Sequence, residues 1–215
     1  MLKIVVGNKN YSSWSMRAWL ALELTGAPYQ EVVVPLDRPD TAERIRSFSP
    51  AGRVPVLLDG DLVVWDSLAI GEYLAEKFPS AGLWPESPEA RAVARAVSAE
   101  MHSGFQALRS SMPMNIKLHR PVVAPAPDVA ADLTRVRGIW RTQLDRAPAG
   151  DYLFGRFGLA DAMFAPVVAR LRTYGVALEG PEAAYADAVW RHPAVVKWVA
   201  GAREEGQSIP KYDRA

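Results

Sequence analysis

The chain has no cysteine among its 215 residues. That excludes disulfides, thiolate metal sites and a cysteine nucleophile, and it fits a cytoplasmic protein. Its three histidines (His102, His119 and His192) show no H-x-x-x-H spacing, so no metal site is expected. No run approaches the roughly 18 apolar residues of a membrane span. The apolar stretch in "MLKIVVGNKN" is too short for a secretory core, so a soluble protein without a membrane partner is expected. Nor is there an excess of either charge: 25 basic residues face 24 acidic ones, a net charge of +1. Such a balance gives no reason to expect a nucleic acid as partner.

What is present is an ordinary globular composition, 49% hydrophobic and 23% charged, with ample length for a buried core. "LKIVVG" (2–7) reads as a buried strand, followed by a helix ending near Thr25 with Gly26 beyond it. "YQEVVVPL" (29–36) reads as a second strand, parallel to the first through a right-handed crossover. A short helix fits 41–48, and "VPVLLDGDLVVW" (54–65) fits a hairpin turning at Asp-Gly. "DSLAIGEYLAEKF" (66–78) has helical period, with Leu68, Tyr73, Leu74 and Phe78 as candidate core.

The composition then turns proline-rich. This predicts a domain at 1–79, a linker at 80–87 and an all-helical domain at 88–215. The first helix of the second part is expected from Ser87 to Met112, with Val93, Val97, Met101, Phe105 and Leu108 on one stripe. Residues 113–127 read as a loop, with helices near 128–145, 159–174, 182–190 and 193–204. An α/β half followed by an all-α half implies two domains.

"NYSSWSMRAWLAL" raises the functional question, because Ser12, Ser13 and Ser15 stand immediately ahead of an apolar helix. Hydroxyls there can cap the helix. They can also steady an anion at its positive end. Ser12, Ser13, Ser15 and Arg17 resemble the Ser-Ser-Cys-Ser-x-Arg run of zeta-class cytosolic glutathione transferases, with Trp14 where that class has cysteine. "GRVPVL" (52–57) and "DSLAI" (66–70) resemble two further runs of the family in the same order.

The resemblance covers the whole chain and implies an α/β thioredoxin-like N-terminal domain followed by an all-α helical bundle. It implies glutathione as cosubstrate, a small electrophile as second substrate, and a homodimer. Ser12 is the implied catalytic serine, with Ser13 close behind. Trp14, Ser15 and Arg53 would line the glutathione site. Val54, before a cis Pro55, would pair its backbone with the cysteinyl part. Ser67 would bind the γ-glutamyl carboxylate at a helix N-terminus, and Asp66 would face the ammonium. Arg17 reads as a structural ion-pair partner. Asp161, in "FGLADAMF", resembles half of the family's capping box, with Gly158 in place of the usual hydroxyl residue. His102, Phe105, Arg109 and Met112, at spacings of 3 or 4, would line an acceptor pocket on one helix face.

The chemistry is energetically reasonable. Lowering a thiol pKa from about 8.5 by about two units takes roughly 2.7 kcal/mol. A charge-assisted hydrogen bond from a serine supplies about 1.5–3 kcal/mol, and a helix N-terminus adds about 0.3–1 kcal/mol. The serine needs no base, since it donates to a sulfur that arrives with the cosubstrate. A zeta-like maleylacetoacetate isomerase and a non-catalytic binding protein of the same fold are the alternatives.

Overall fold

The computed structural model describes residues 1–121 and 124–213. Residues 122 and 123 of the expected 113–127 loop, and the last two of the expected 88–215 domain, lie outside the described residues. A four-stranded sheet has the order β2-β1-β3-β4, built from β1 (Leu2–Gly7), β2 (Tyr29–Val34), β3 (Val56–Asp59) and β4 (Leu62–Trp65). β1 and β2 are parallel, as a crossover through α1 (Ser13–Leu24) requires, while β3 runs antiparallel to both β1 and β4. Gly60 takes φ +60° in the β3–β4 turn, a conformation open to glycine at little cost.

The sheet is covered on both faces, so β1 reads as a continuous apolar run instead of an alternating one. Ile4 and Val6 face the main core, whereas Val5 joins Val34, Ile45 and Val56 in a small second cluster. Ile45 belongs to α2 (Thr41–Arg46), and α3 (Ser67–Lys77) follows β4. Leu74 is buried, while Leu68, Tyr73 and Phe78 pack against the core half-buried.

Beyond a 3-10 turn at Pro79–Ala81, the remaining elements are α4 (Pro88–Ser103), α5 (Gln106–Ser111), α6 (Pro127–Arg146), α7 (Leu159–Thr173), α8 (Gly180–Arg191), α9 (Pro193–Glu204) and α10 (Pro210–Asp213). The single helix expected over 87–112 is therefore two. Gly104 is extended and Phe105 takes φ +61°, which breaks the α-helix between them. Val93, expected in the core, is exposed, because the buried stripe of α4 runs through Ala94, Val97, Ser98 and Met101.

The main core is continuous across the two halves. α7 is its axis, buried at every position except Arg172, and it packs against α1, α4 and α8. Three indoles are fully buried: Trp19 and Trp198 meet edge-on at 5.3 Å, and Trp140 meets Tyr185 at 4.9 Å. The α7 N-terminus is held by Asp161, whose carboxylate accepts from Gly158 N at 2.9 Å and Leu153 N at 3.1 Å. Burial pushes the Asp161 carboxyl up to about 6.

The stretch after α9, absent from the sequence reading, folds back along the serine loop. Glu205 accepts from the backbone amides of Lys9 and Asn10 at 2.6 and 3.0 Å. Asn8 donates to Gln207, and the Tyr11 hydroxyl donates to Asp213 at 2.8 Å while accepting from Ile209 N at 3.2 Å.

Candidate active site

Ser12 is the N-cap of α1. Its hydroxyl accepts from Ser15 N at 3.3 Å and donates to Ser15 Oγ at 2.8 Å, and Ser15 Oγ also accepts from Gly7 N at 2.9 Å. Ser15 is thus an interior tie between α1 and β1. Ser13 differs: its oxygen accepts from Arg170 Nη2 at 3.2 Å, which leaves its own O–H available to an acceptor. Arg170 is buried, and its other nitrogens donate to the carbonyls of Met112 and Pro166. Burial and the nearby Arg109 push its pKa down to about 9.

Two cavities meet at Trp14. One, of about 580 Å³, is lined by Trp14, Arg53, Val54, Pro55, Asp66, Ser67 and His102. The Val54–Pro55 bond in its wall is cis. The other, of about 500 Å³, is lined by Ser12, Ser13, Arg109, Arg170, Tyr11 and Tyr212, with Trp14, Arg53 and Val54 shared between the two. The expected site residues are therefore gathered, except Ser15, Phe105 and Met112. Phe105 and Met112 are core side chains and line neither cavity. Arg170, Tyr11 and Tyr212 escaped the sequence reading. A single arginine within the apolar run "AMFAPVVARL" was the available signal for Arg170, since a buried charge needs a reason.

The Asp66 side chain does two things at once. Its Oδ1 accepts from Leu68 N at 2.9 Å and Ala69 N at 3.3 Å, capping α3. Its Oδ2 lies 3.1 Å from His102 Nε2. Ser67 is buried, and its hydroxyl has no partner among the described residues. An orphaned hydroxyl in a cavity wall beside a helix N-terminus suits a ligand carboxylate.

Arg17 corrects the expectation of an ion pair. It is fully buried, and none of its guanidinium nitrogens has a hydrogen-bond partner among the described residues. The Trp14 ring lies 4.8 Å from it. Burial first, then Arg109 and Arg170, push its pKa well down, opposed by Asp66. Arg109 also lies near Trp14, at 4.9 Å, and donates to Gly104 O at 2.8 Å and to the carbonyls of Met101 and His102. It caps the broken end of α4 instead of extending along a helix face.

Three guanidinium groups, Arg17, Arg109 and Arg170, thus lie near one another beside the serine loop, with no ion pair to a carboxylate among the described residues. Exchanging a buried, uncompensated charge for an apolar side chain of similar size removes a desolvation cost. Arg17→Met is expected to raise the unfolding free energy by about 1–4 kcal/mol in denaturant titration. A lower midpoint in that titration would show that Arg17 is compensated.

The comparisons agree with this geometry. The glutathione S-transferase N-terminal domain family matches residues 11–77, and the C-terminal domain family matches residues 127–201. Glutathione S-transferase 1 of Dianthus caryophyllus is 31% identical over 169 residues, 77% of this chain and 76% of that protein. A probable maleylacetoacetate isomerase of Caenorhabditis elegans is 37% identical over 99 residues, 46% of each chain. The match spans about half the length of the first curated relatives. The holo structure of a bacterial maleyl pyruvate isomerase, a zeta-class glutathione S-transferase, shares the fold. Its TM-score is 0.74 at 24% identity, covering 96% of this chain and 100% of that one. With the fold, both domain matches and a relative aligned over three quarters of its length in agreement, the chain belongs to the glutathione S-transferase family.

Proposed function

We propose that this protein binds glutathione, activates its thiol and directs the thiolate at a small electrophile bearing a carboxylate. One observation carries the reading: Ser13 accepts from a buried arginine, in a cavity that adjoins the one walled by cis Pro55 and Ser67. An oxygen that accepts from a cation makes a stronger donor of its own proton. Ser13 would give that proton to the sulfur as a hydrogen bond, and Ser12 could do so only by leaving Ser15. In the adjoining cavity Ser67 would take the γ-glutamyl carboxylate, Asp66 the ammonium and Val54 the cysteinyl backbone, with Trp14 and Arg53 as walls.

Arg17, Arg109 and Arg170 provide a positive field at the point where the thiolate charge develops. The same field supports an anionic acceptor, and with it a second reading as a maleylacetoacetate isomerase-like enzyme. In that reaction the thiolate adds to a conjugated carbon, the bond between the former alkene carbons rotates, and expulsion of the thiolate restores the double bond. A non-catalytic binding protein would hold glutathione without needing Ser13 or the arginine field to activate its thiol.

Residues 1–79 would form the glutathione-binding domain and 88–215 the helical one. The cysteine-free composition supports a cytoplasmic location. The deciding experiment is a pH titration of thiolate absorbance with glutathione bound. A thiol titrating well below free glutathione supports the transferase, and binding with an unshifted thiol supports the binding protein. A homodimer is also proposed, supported by the exposed apolar side chains of Leu62 and Trp65 on β4 and Val93 on α4. Sedimentation should give twice the chain mass; the mass of one chain would reject the dimer.

A further inference from the structure

His102 reaches from the helical half into the wall of the Val54–Ser67 cavity. Its Nε2 lies 3.1 Å from Asp66 Oδ2, and its ring meets Trp14 edge-on at 5.1 Å. A carboxylate only accepts, so Nε2 carries a proton, and in the neutral ring Nδ1 is then the bare nitrogen. That Nδ1 is buried, with no partner among the described residues. The charged groups acting on the ring are Asp66 at the head of α3, Arg17 on α1 and Arg109 on α5.

We propose that His102 is a positioning residue for glutathione that makes its binding pH-dependent, holding Asp66 for the ligand's ammonium only while the imidazole is neutral. The inference rests on the glutathione reading above. In the neutral state one oxygen of Asp66 caps α3, and the other is fixed by an uncharged donor. The carboxylate therefore keeps its full negative charge for an incoming ammonium. Protonation of His102 cancels that charge and adds a cation beside the ammonium. It also puts an N–H on Nδ1, which has no acceptor among the described residues.

Two effects already oppose that proton. Burial is the larger, and the nearby Arg17 and Arg109 add to it against the attraction of Asp66, so the pKa lies below the usual histidine value. A bound ammonium lowers it further. Linkage is reciprocal, so protonation of His102 must weaken glutathione by the same factor.

S-methylglutathione isolates the effect, because it keeps the ammonium and both carboxylates but has no thiol to titrate. Calorimetry on the full-length protein should find it about five- to tenfold weaker at pH 5 than at pH 7. His102→Ala should bind about tenfold more weakly at pH 7 and lose that pH dependence. His102→Gln keeps an N–H for Asp66 without a titratable ring, so it should recover the pH 7 affinity and stay flat. Native-like pH profiles in both variants, or native affinity in His102→Ala, overturn the inference alone. A native protein that binds no S-methylglutathione at any pH overturns the glutathione reading with it.

Discussion

Ser13→Ala is expected to return the thiol of bound glutathione by about one to two pKa units toward its free value. Turnover at pH 7 should then fall by about ten- to a hundredfold. The size follows from what is lost: a charge-assisted hydrogen bond of about 1.5–3 kcal/mol to the thiolate. Removing Ser13 also leaves Arg170 with one donor fewer in use, so its field on the sulfur persists. The pKa should therefore rise without returning fully to that of free glutathione. Ser12→Ala is the contrast. Its hydroxyl caps α1 and ties Ser15, so its loss should lower stability by about 1 kcal/mol and move the thiol less. Thiolate absorbance against pH, read beside a melting curve for each variant, separates the two roles. A full return in Ser12→Ala with no change in Ser13→Ala would reverse them.

The second large effect is on folding. Asp161→Ala removes the acceptor of two amides, the buried Leu153 N and the half-buried Gly158 N, at about 1–3 kcal/mol each. It also uncaps the helix that forms the axis of the core. A loss of about 3–5 kcal/mol in unfolding free energy is expected. The pH dependence has a definite sign. The folded Asp161 carboxyl titrates near 6, against 3.8 for the ordinary group. Between those values the native state holds a proton that the unfolded chain has lost, so this contribution is complete at acid pH and declines as pH rises towards about 6. Its full span is about 3 kcal/mol. Several other carboxylates, Glu23, Glu182 and Asp213 among them, are held below their usual range by basic or hydroxyl partners and contribute the opposite slope. The measurement is therefore the native protein minus Asp161→Ala, by denaturant titration from pH 4 to 7. A difference that grows with pH would show that the buried carboxylate is charged.

Much of the fold was legible because it rests on local signals. The β-branched run of β1, Gly26 after α1, the Asp-Gly turn and the helical period of 66–78 each specify backbone without reference to distant residues. The linker composition, likewise, marked the passage into helices. The break between α4 and α5 was not legible. Phe105 adopts a positive φ that its residue type disfavours, and the break is held by Arg109 folding back on the carbonyls of Met101, His102 and Gly104. A periodic stripe carries no trace of such a tertiary override. In the site, the motifs named Ser12, Ser13, Val54, Pro55 and Ser67 because backbone position fixes their surroundings. The motifs could not show that Ser12 is committed to Ser15 and Ser13 to Arg170, which lies 157 positions away. Nor could they show that Arg17 has no hydrogen-bond partner among the described residues, since an arginine in a helix ordinarily finds a carboxylate.

The hydrogen bonds from residues 205–213 to the serine loop bear on how the protein is made. The loop is synthesised well before its supports, Glu205, Gln207 and Asp213, which follow their partners by 195 to 202 positions. Two amides, an asparagine side chain and a tyrosine hydroxyl of the loop therefore wait for that whole intervening stretch before they can pair. The sheet and its hairpin can assemble early during synthesis. The loop that carries Ser12 and Ser13 is fully tied only when residues 205–213 dock, so a translation product interrupted before them would carry the motif residues without that support.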